Sequence, residues 1–217
     1  MQLDGGIADS GYYQQHYSSR DWKFYSGIVA LIIKRSSPGP ILDLGAGCGY
    51  LLECASRWGL TGTGMDGSIE AIAMAKERCP TLDIRYQKLS ENLPFPENSF
   101  QTVVLNQVIE HLEPVVAVNV LRESFRVLHQ DGVILIAAPS KANKYEAKAD
   151  PTHINMMSPK ELKALLISCG FVQIRPFDYP LPLLGSNWIA QGIMYVIFKL
   201  MPFDWYSATS NATASKR

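Results

Sequence analysis

The sequence predicts a doubly wound α/β fold with a mostly parallel sheet, preceded by an N-terminal helical cap and followed by an apolar C-terminal helix. Three observations predict it. Short apolar runs alternate with amphipathic ones from about residue 41 onward, the rhythm of strands crossed by helices. Three glycines, Gly45, Gly47 and Gly49, follow directly on the first of these runs, where a strand must turn into a helix. The 217 residues, 47% of them hydrophobic, suffice for one sizeable core and not for a second full domain.

Taken in order, residues 1–39 read as the helical cap, 40–180 as the α/β core and 181–217 as the apolar helix and tail of a single domain. The cap crowds Tyr12, Tyr13, His16, Tyr17, Trp22, Phe24 and Tyr25 into a stretch that reads as one or two helices packed on the sheet's edge. Strands are expected at Pro40–Leu44, Thr61–Met65, Leu82–Gln87, Gln101–Asn106, Val133–Ala138 and Phe171–Asp178, all short and mostly apolar, as buried parallel strands are. Helical spacing marks Tyr50–Trp58, Ser68–Arg78, Val115–Leu128 and Pro159–Cys169. The last is well punctuated, with Ser158 as cap, Pro159 and Glu161 in the first turn and Gly170 as its stop. Pro94, Pro96, Glu97 and Asn98 make LPFPENSF an ordered turn before the fourth strand. Trp188–Phe203 is almost wholly apolar but shorter than the roughly 20 residues a membrane span needs. An apolar helix there is expected to cover a lipophilic acceptor, rest on a membrane surface or join two copies of the chain.

Composition narrows the partners. Twenty basic and twenty acidic side chains cancel, which argues against a nucleic-acid partner that many phosphate contacts would require. Cys48, Cys54, Cys79 and Cys169 lack metal or Cys-x-x-Cys spacing, and MQLDGGIADS lacks a secretory leader's basic and apolar regions, so a reduced, cytoplasmic protein is expected. Asn211-Ala212-Thr213 fits a glycosylation pattern that this setting would leave unused.

In ILDLGAGCGY the glycines allow the backbone to approach a ligand closely. Their spacing is G-x-G-x-G, with Tyr50 where a dinucleotide fingerprint has its third glycine, which weakens a nicotinamide reading. Asp43 adds negative charge where a pyrophosphate prefers donors, and it suits an ammonium or sulfonium ligand. Asp66, at the end of the second strand and followed by Gly67, stands where an acid takes a ribose diol.

These residues resemble the class I S-adenosylmethionine-dependent methyltransferases, and among them the small-molecule branch that includes quinone-biosynthesis methylases. The resemblance runs from Ile41 to about Phe171 through ILDLGAGCG, Asp66, LSENLPFPENSF with VVLNQVIEHLEP, DGVILIAAP and HINMMSPKELKALLISCGF. It implies a Rossmann-like methyltransferase fold, S-adenosyl-L-methionine as cofactor and a small-molecule substrate. It also implies that Gly45, Gly47 and Gly49 line the methionine moiety, that Asp43 lies near its ammonium group, that Asp66 takes the ribose hydroxyls, that Leu89 and Ser90 flank the adenine, and that Asn106 closes the floor. Where the family often carries an acid, this chain has Leu89, which leaves the adenine amino group to Ser90 or a main-chain carbonyl.

Methyl transfer from a sulfonium is an in-line displacement, so alignment is the main demand and a base is needed only if the acceptor must lose a proton. His111, beyond the fourth strand, and His153, after the fifth, fall on the ligand-facing edge and are the candidate catalytic residues. Each has a plain alternative in packing or capping. Tyr13 and Tyr17 are candidate lid residues, while His16 and His129 read as surface or packing residues. Cys48 reads as a packing residue, Glu146 and Asp150 as a solvated loop, and no metal is expected. Asn106-Gln107-Val108-Ile109 lacks the run with which amino-group DNA methylases grip a flipped base. Two other functions stay open: a nicotinamide-dependent dehydrogenase, and a non-catalytic module that binds S-adenosylmethionine.

Overall fold

The computed structural model describes residues 13, 21–177 and 209–216. A 3-10 turn, Trp22–Tyr25, leads into helix α1 (Ser26–Arg35). The core then runs β1 (Ile41–Leu44), α2 (Tyr50–Arg57), β2 (Gly62–Asp66), α3 (Ile69–Arg78), β3 (Asp83–Tyr86), β4 (Phe100–Asn106) and α4 (Pro114–Val127). It continues through β5 (Leu128–Pro139), α5 (Lys144–Ala149), α6 (Pro159–Ser168), β6 (Val172–Pro176) and β7 (Thr209–Ser215). The seven strands lie in the order β3-β2-β1-β4-β5-β7-β6. β1 to β5 pair in parallel, whereas β7 is antiparallel to both neighbours.

Alternation along the strands divides the core between two faces. Leu42, Leu44, Val103 and Leu105 point to the face packed by Val120 and Leu121 of α4 and Leu162 and Leu166 of α6. Ile41 and Val104 point to the other, packed by Ile28 and Ile32 of α1, Leu51 and Leu52 of α2 and Ile72 of α3. Asp43 shares the parity of Ile41 and is buried on that second face. Helix starts follow local chemistry: the Ser68 side chain accepts from Ala71 N at α3, and Ser158 and Glu161 form a capping box at α6 with Pro159 in its first turn.

The six expected strands and four expected helices are all present, within one to a few residues except at β5. That strand starts directly after α4 at Leu128, because Asp131 takes φ 61° and a register irregularity carries the chain back into pairing at Val133. The C-terminal expectation needs a correction. Residues 209–215 are not a tail but the inner strand β7, and Asn211 is buried there, accepting from Ala138 N and donating to Phe177 O. Its neighbours Ser210 and Thr213 bond Met157 O and Arg175 O. The expected apolar helix at 188–203, with His16 and Tyr17, lies outside the described residues.

Candidate functional site

β1 has β2 on one side and β4 on the other, so the strand order reverses between β1 and β4, and ligands of doubly wound sheets sit at that switch point. Leu44 pairs Leu105 there, which brings the turn after β1 beside the chain after β4. Gly45 and Ala46 continue the β1–β2 hydrogen bonding, both donating to Met65 O at 2.8 and 3.0 Å. Gly45 has φ 73°, and a Cβ added to it would lie 2.5 Å from Val108 Cγ2. Glycine is therefore needed there twice over, for conformation and for contact. Gly49 takes φ 73° and starts α2 without any side-chain cap.

Asp66 closes this turn from β2. Its Oδ2 accepts from Gly47 N at 2.7 Å and its Oδ1 from Ser68 N at 2.8 Å. Tyr13 donates to Oδ1 at 3.4 Å and lays its ring against Gly47, so the expected lid tyrosine covers the turn. Burial raises the Asp66 carboxyl despite these donors. Burial, and then the neighbouring Asp66, push Asp43 up to about 8. Two adjacent buried carboxyls that are hard to ionise create a site that gains from an incoming cation.

The remaining cofactor candidates line the same edge. Gly67 links Asp66 to the capping Ser68, and Asn106 is half-buried at the end of β4, opposite Ala137. The Leu89 side chain packs in the core with Leu42 and Met65, and Ser90 beside it is exposed. Sequence reasoning passed over Arg78. It donates to Cys48 O at 2.6 Å, pairs with Glu53 at 2.9 Å and lies 3.8 Å from the centroid of the Tyr50 ring, tying α3 to the glycine turn. An arginine in the last turn of an amphipathic helix carries no sequence signal of that reach.

His111 and His153, 42 positions apart by number, meet on the opposite side of the switch point, with ring centroids 4.8 Å apart. A 3-10 turn, Ile109–His111, carries the first. Asn155 holds the second in place, its N–H donating to Glu110 O at 2.9 Å and its Nδ2 to Ile109 O at 3.3 Å. His111 Nδ1 lies 2.9 Å from Thr152 Oγ1, and that hydroxyl donates in turn to Asp150 Oδ1. His153 Nε2 lies 3.6 Å from Asp150 Oδ2. Burial first, then His153, lower the His111 pKa to about 4, so this ring is neutral at neutral pH. Against its own burial, which alone would raise it, Asp150 is kept low by hydrogen bonds from Thr152 and by the two histidines. Asp150 and Glu146 are thus not a solvated loop: both are half-buried around α5, and Asp150 organises the histidine pair.

Glu110 stands between these parts and was not anticipated as a site residue. It is fully buried, and neither carboxylate oxygen has a hydrogen-bond partner. His153 Nδ1 is likewise unpartnered. Burial pushes Glu110 up to about 8, with Asp150 and Glu146 adding to it, and the main-chain N–H groups of Glu110 itself and Val108 oppose this in part. A buried polar group left unpaired costs about 1–3 kcal/mol, more when charged.

Comparison with known proteins agrees with this geometry. Residues 42–136 match the family described as methyltransferase domain. A Mycobacterium tuberculosis protein named "Probable S-adenosylmethionine-dependent methyltransferase" is 31% identical over 146 residues, covering 64% of this chain and 51% of its own length. The "Ubiquinone biosynthesis O-methyltransferase" of Pelagibacter ubique is 29% identical over 117 residues, 51% of this chain and 48% of that one. The chain thus spans about half the length of these curated relatives. A solved S-adenosylmethionine-dependent methyltransferase from Archaeoglobus fulgidus superposes with a TM-score of 0.69 at 22% identity, over 94% of this chain and 100% of that one. The glycine turn, Asp43 and Asp66 lie in the matched region, so residues 42–136 are similar to a methyltransferase domain and the chain shares the fold of the solved S-adenosylmethionine-dependent methyltransferase.

Proposed function

We propose that this protein transfers the methyl group of S-adenosyl-L-methionine to a small, lipophilic acceptor. The observation that carries the reading is the buried Asp43–Asp66 pair beneath the positive-φ glycine turn. Such a pocket favours a ligand with an ammonium and a sulfonium group and disfavours a pyrophosphate. In this reading Gly45, Gly47 and Gly49 line the methionine portion, Asp43 meets its ammonium group, Asp66 with Gly67 takes the ribose, Leu89 and Ser90 border the adenine, and Asn106 forms the floor. Binding requires Asp66 to exchange its bonds to Gly47 and Ser68 for the ribose hydroxyls, and Tyr13 to swing aside or lie along the ligand.

His111 and His153 face the acceptor. Alignment supplies most of the rate in an in-line displacement, and a positioned base adds to it when the acceptor carries a proton. A lipophilic acceptor accords with the relative named for ubiquinone biosynthesis and with the apolar sequence of 188–203. That segment would cover the acceptor, touch a membrane surface or join two copies; among the described residues no helix is long and apolar enough to cross a membrane. Four free cysteines accord with a cytoplasmic setting.

The test is release of S-adenosylhomocysteine on addition of quinols, phenols, lipids and sugars in turn. Acceptor-dependent release supports the reading. Tight cofactor binding with no release from any acceptor class would leave the non-catalytic module standing, and saturable binding of a nicotinamide dinucleotide alone would restore the dehydrogenase.

A further inference from the structure

We propose that Glu110, His111 and His153 form a binding site for a divalent transition-metal cation of the zinc class. One ligand atom from each of the three lies within 4.8 Å of the others. Their polar surroundings mark the atoms they can offer. The Thr152 hydroxyl donates to Asp150, so its oxygen accepts from His111, which places the imidazole proton on Nδ1 and leaves the Nε2 lone pair free. Asp150 flanks His153 at Nε2, and His153 Nδ1 has no partner. Glu110 is fully buried with both oxygens unpartnered. One carboxylate, Asp150, thus stands behind both rings, 3.6 Å from His153 Nε2 and joined to His111 through the Thr152 hydroxyl. This is the outer-shell arrangement that holds metal-binding imidazoles in their ligating tautomer.

Two imidazoles and one carboxylate select against magnesium and calcium, hard ions that take oxygen ligands, and suit zinc or a neighbour in its series. Zinc bonds of about 2.0–2.2 Å would bring the three ligand atoms to about 3.4 Å apart. Small side-chain rotations close that gap, because Asn155 holds the His153 loop on Ile109 and Glu110. Three protein ligands leave a coordination position open. Val108, two residues before Glu110, lies against Gly45, so the cluster stands near the glycine turn; occupation of the open position by an acceptor oxygen is a further step that rests on the methyltransferase reading.

The experiment uses the full chain, stripped with a chelator and titrated with zinc and, separately, with cobalt(II), with no cofactor or acceptor present. One equivalent should bind, and the cobalt form should show visible bands of nitrogen and oxygen ligation. Glu110→Gln and His153→Ala should abolish stoichiometric binding, while Asp150→Asn and Thr152→Val should weaken it about 10–100-fold. Circular dichroism identifies any variant that fails to fold, and the two outer variants, which keep all three ligands, then decide. Absence of stoichiometric binding, thiolate bands that put the ion on cysteines, or wild-type affinity in the four variants would overturn the site. Because the readout involves no methyl transfer, that failure would leave the methyltransferase reading intact, and failure of turnover would leave a positive titration intact.

Discussion

The glycine turn and the histidine cluster occupy opposite sides of one switch point but are built by different means. The turn is a continuous stretch, Gly45 to Gly49, shaped by its own φ values and secured by Asp66. The cluster is assembled from two distant segments that meet through hydrogen bonds from Asn155 to Ile109 and Glu110 and between His111 and Thr152. One side is dictated by backbone conformation, the other by tertiary contact. Substitutions should therefore separate them, with the first side governing cofactor affinity and the second governing turnover.

The largest separation is expected at His153. His153→Ala should lower turnover on the order of 10²–10⁴-fold while calorimetry finds the cofactor affinity of the wild type. An equal loss in both quantities would erase the distinction between the two sides. Gly45→Ala attacks the other side. Its forced φ and its collision with Val108 should together cost about 2–4 kcal/mol of stability, read by denaturant unfolding. Pairing it with Val108→Ala should restore only the collision's share. Full restoration would mean that the positive φ costs nothing.

Asp66→Ala sharpens the comparison within the cofactor half. It should weaken cofactor binding by about 1–3 kcal/mol, the scale of hydrogen bonds to a charged group, and leave the visible cobalt spectrum of the cluster unchanged. The smallest effect is a proton. With its pKa raised to about 8, Asp43 is mainly protonated at pH 7 in the free protein, and a bound ammonium group should lower that pKa. Binding should then release about one proton between the lowered pKa and pH 8, with affinity rising as pH rises through that window. Calorimetry in buffers of differing ionisation heat reads it directly. No buffer dependence would remove Asp43 from the cationic ligand.

The same contrast explains what the sequence discloses. Gly45, Gly47, Gly49, Asp43 and Asp66 are legible because they stand at strand-to-helix turns, which leave a local pattern, and the strands themselves follow from alternating apolar runs. His111 and His153 are legible as residues beyond the fourth and the fifth strand. Their partnership with Glu110, Thr152 and Asp150 is not, since a lone acid in VIEHL shows neither its burial nor its neighbours. β7 was hidden for another reason. TSNATAS has no apolar run, because Ser210, Asn211 and Thr213 secure it by side-chain hydrogen bonds to Met157, Ala138, Phe177 and Arg175. Periodicity detects strands stabilised by apolar burial and overlooks one stabilised by polar satisfaction.

The position of β7 also sets an order of events during synthesis. β5 and β6 are each hydrogen-bonded to β7, which stands between them and is translated after both. A nascent chain that has reached Pro176 therefore holds a finished glycine turn while two sheet edges remain open. Those edges can pair with another chain as readily as with their own late strand. A ribosome stall before residue 209 would thus yield a species that has the glycine turn but lacks the strand that joins β5 to β6, and such open edges invite aggregation.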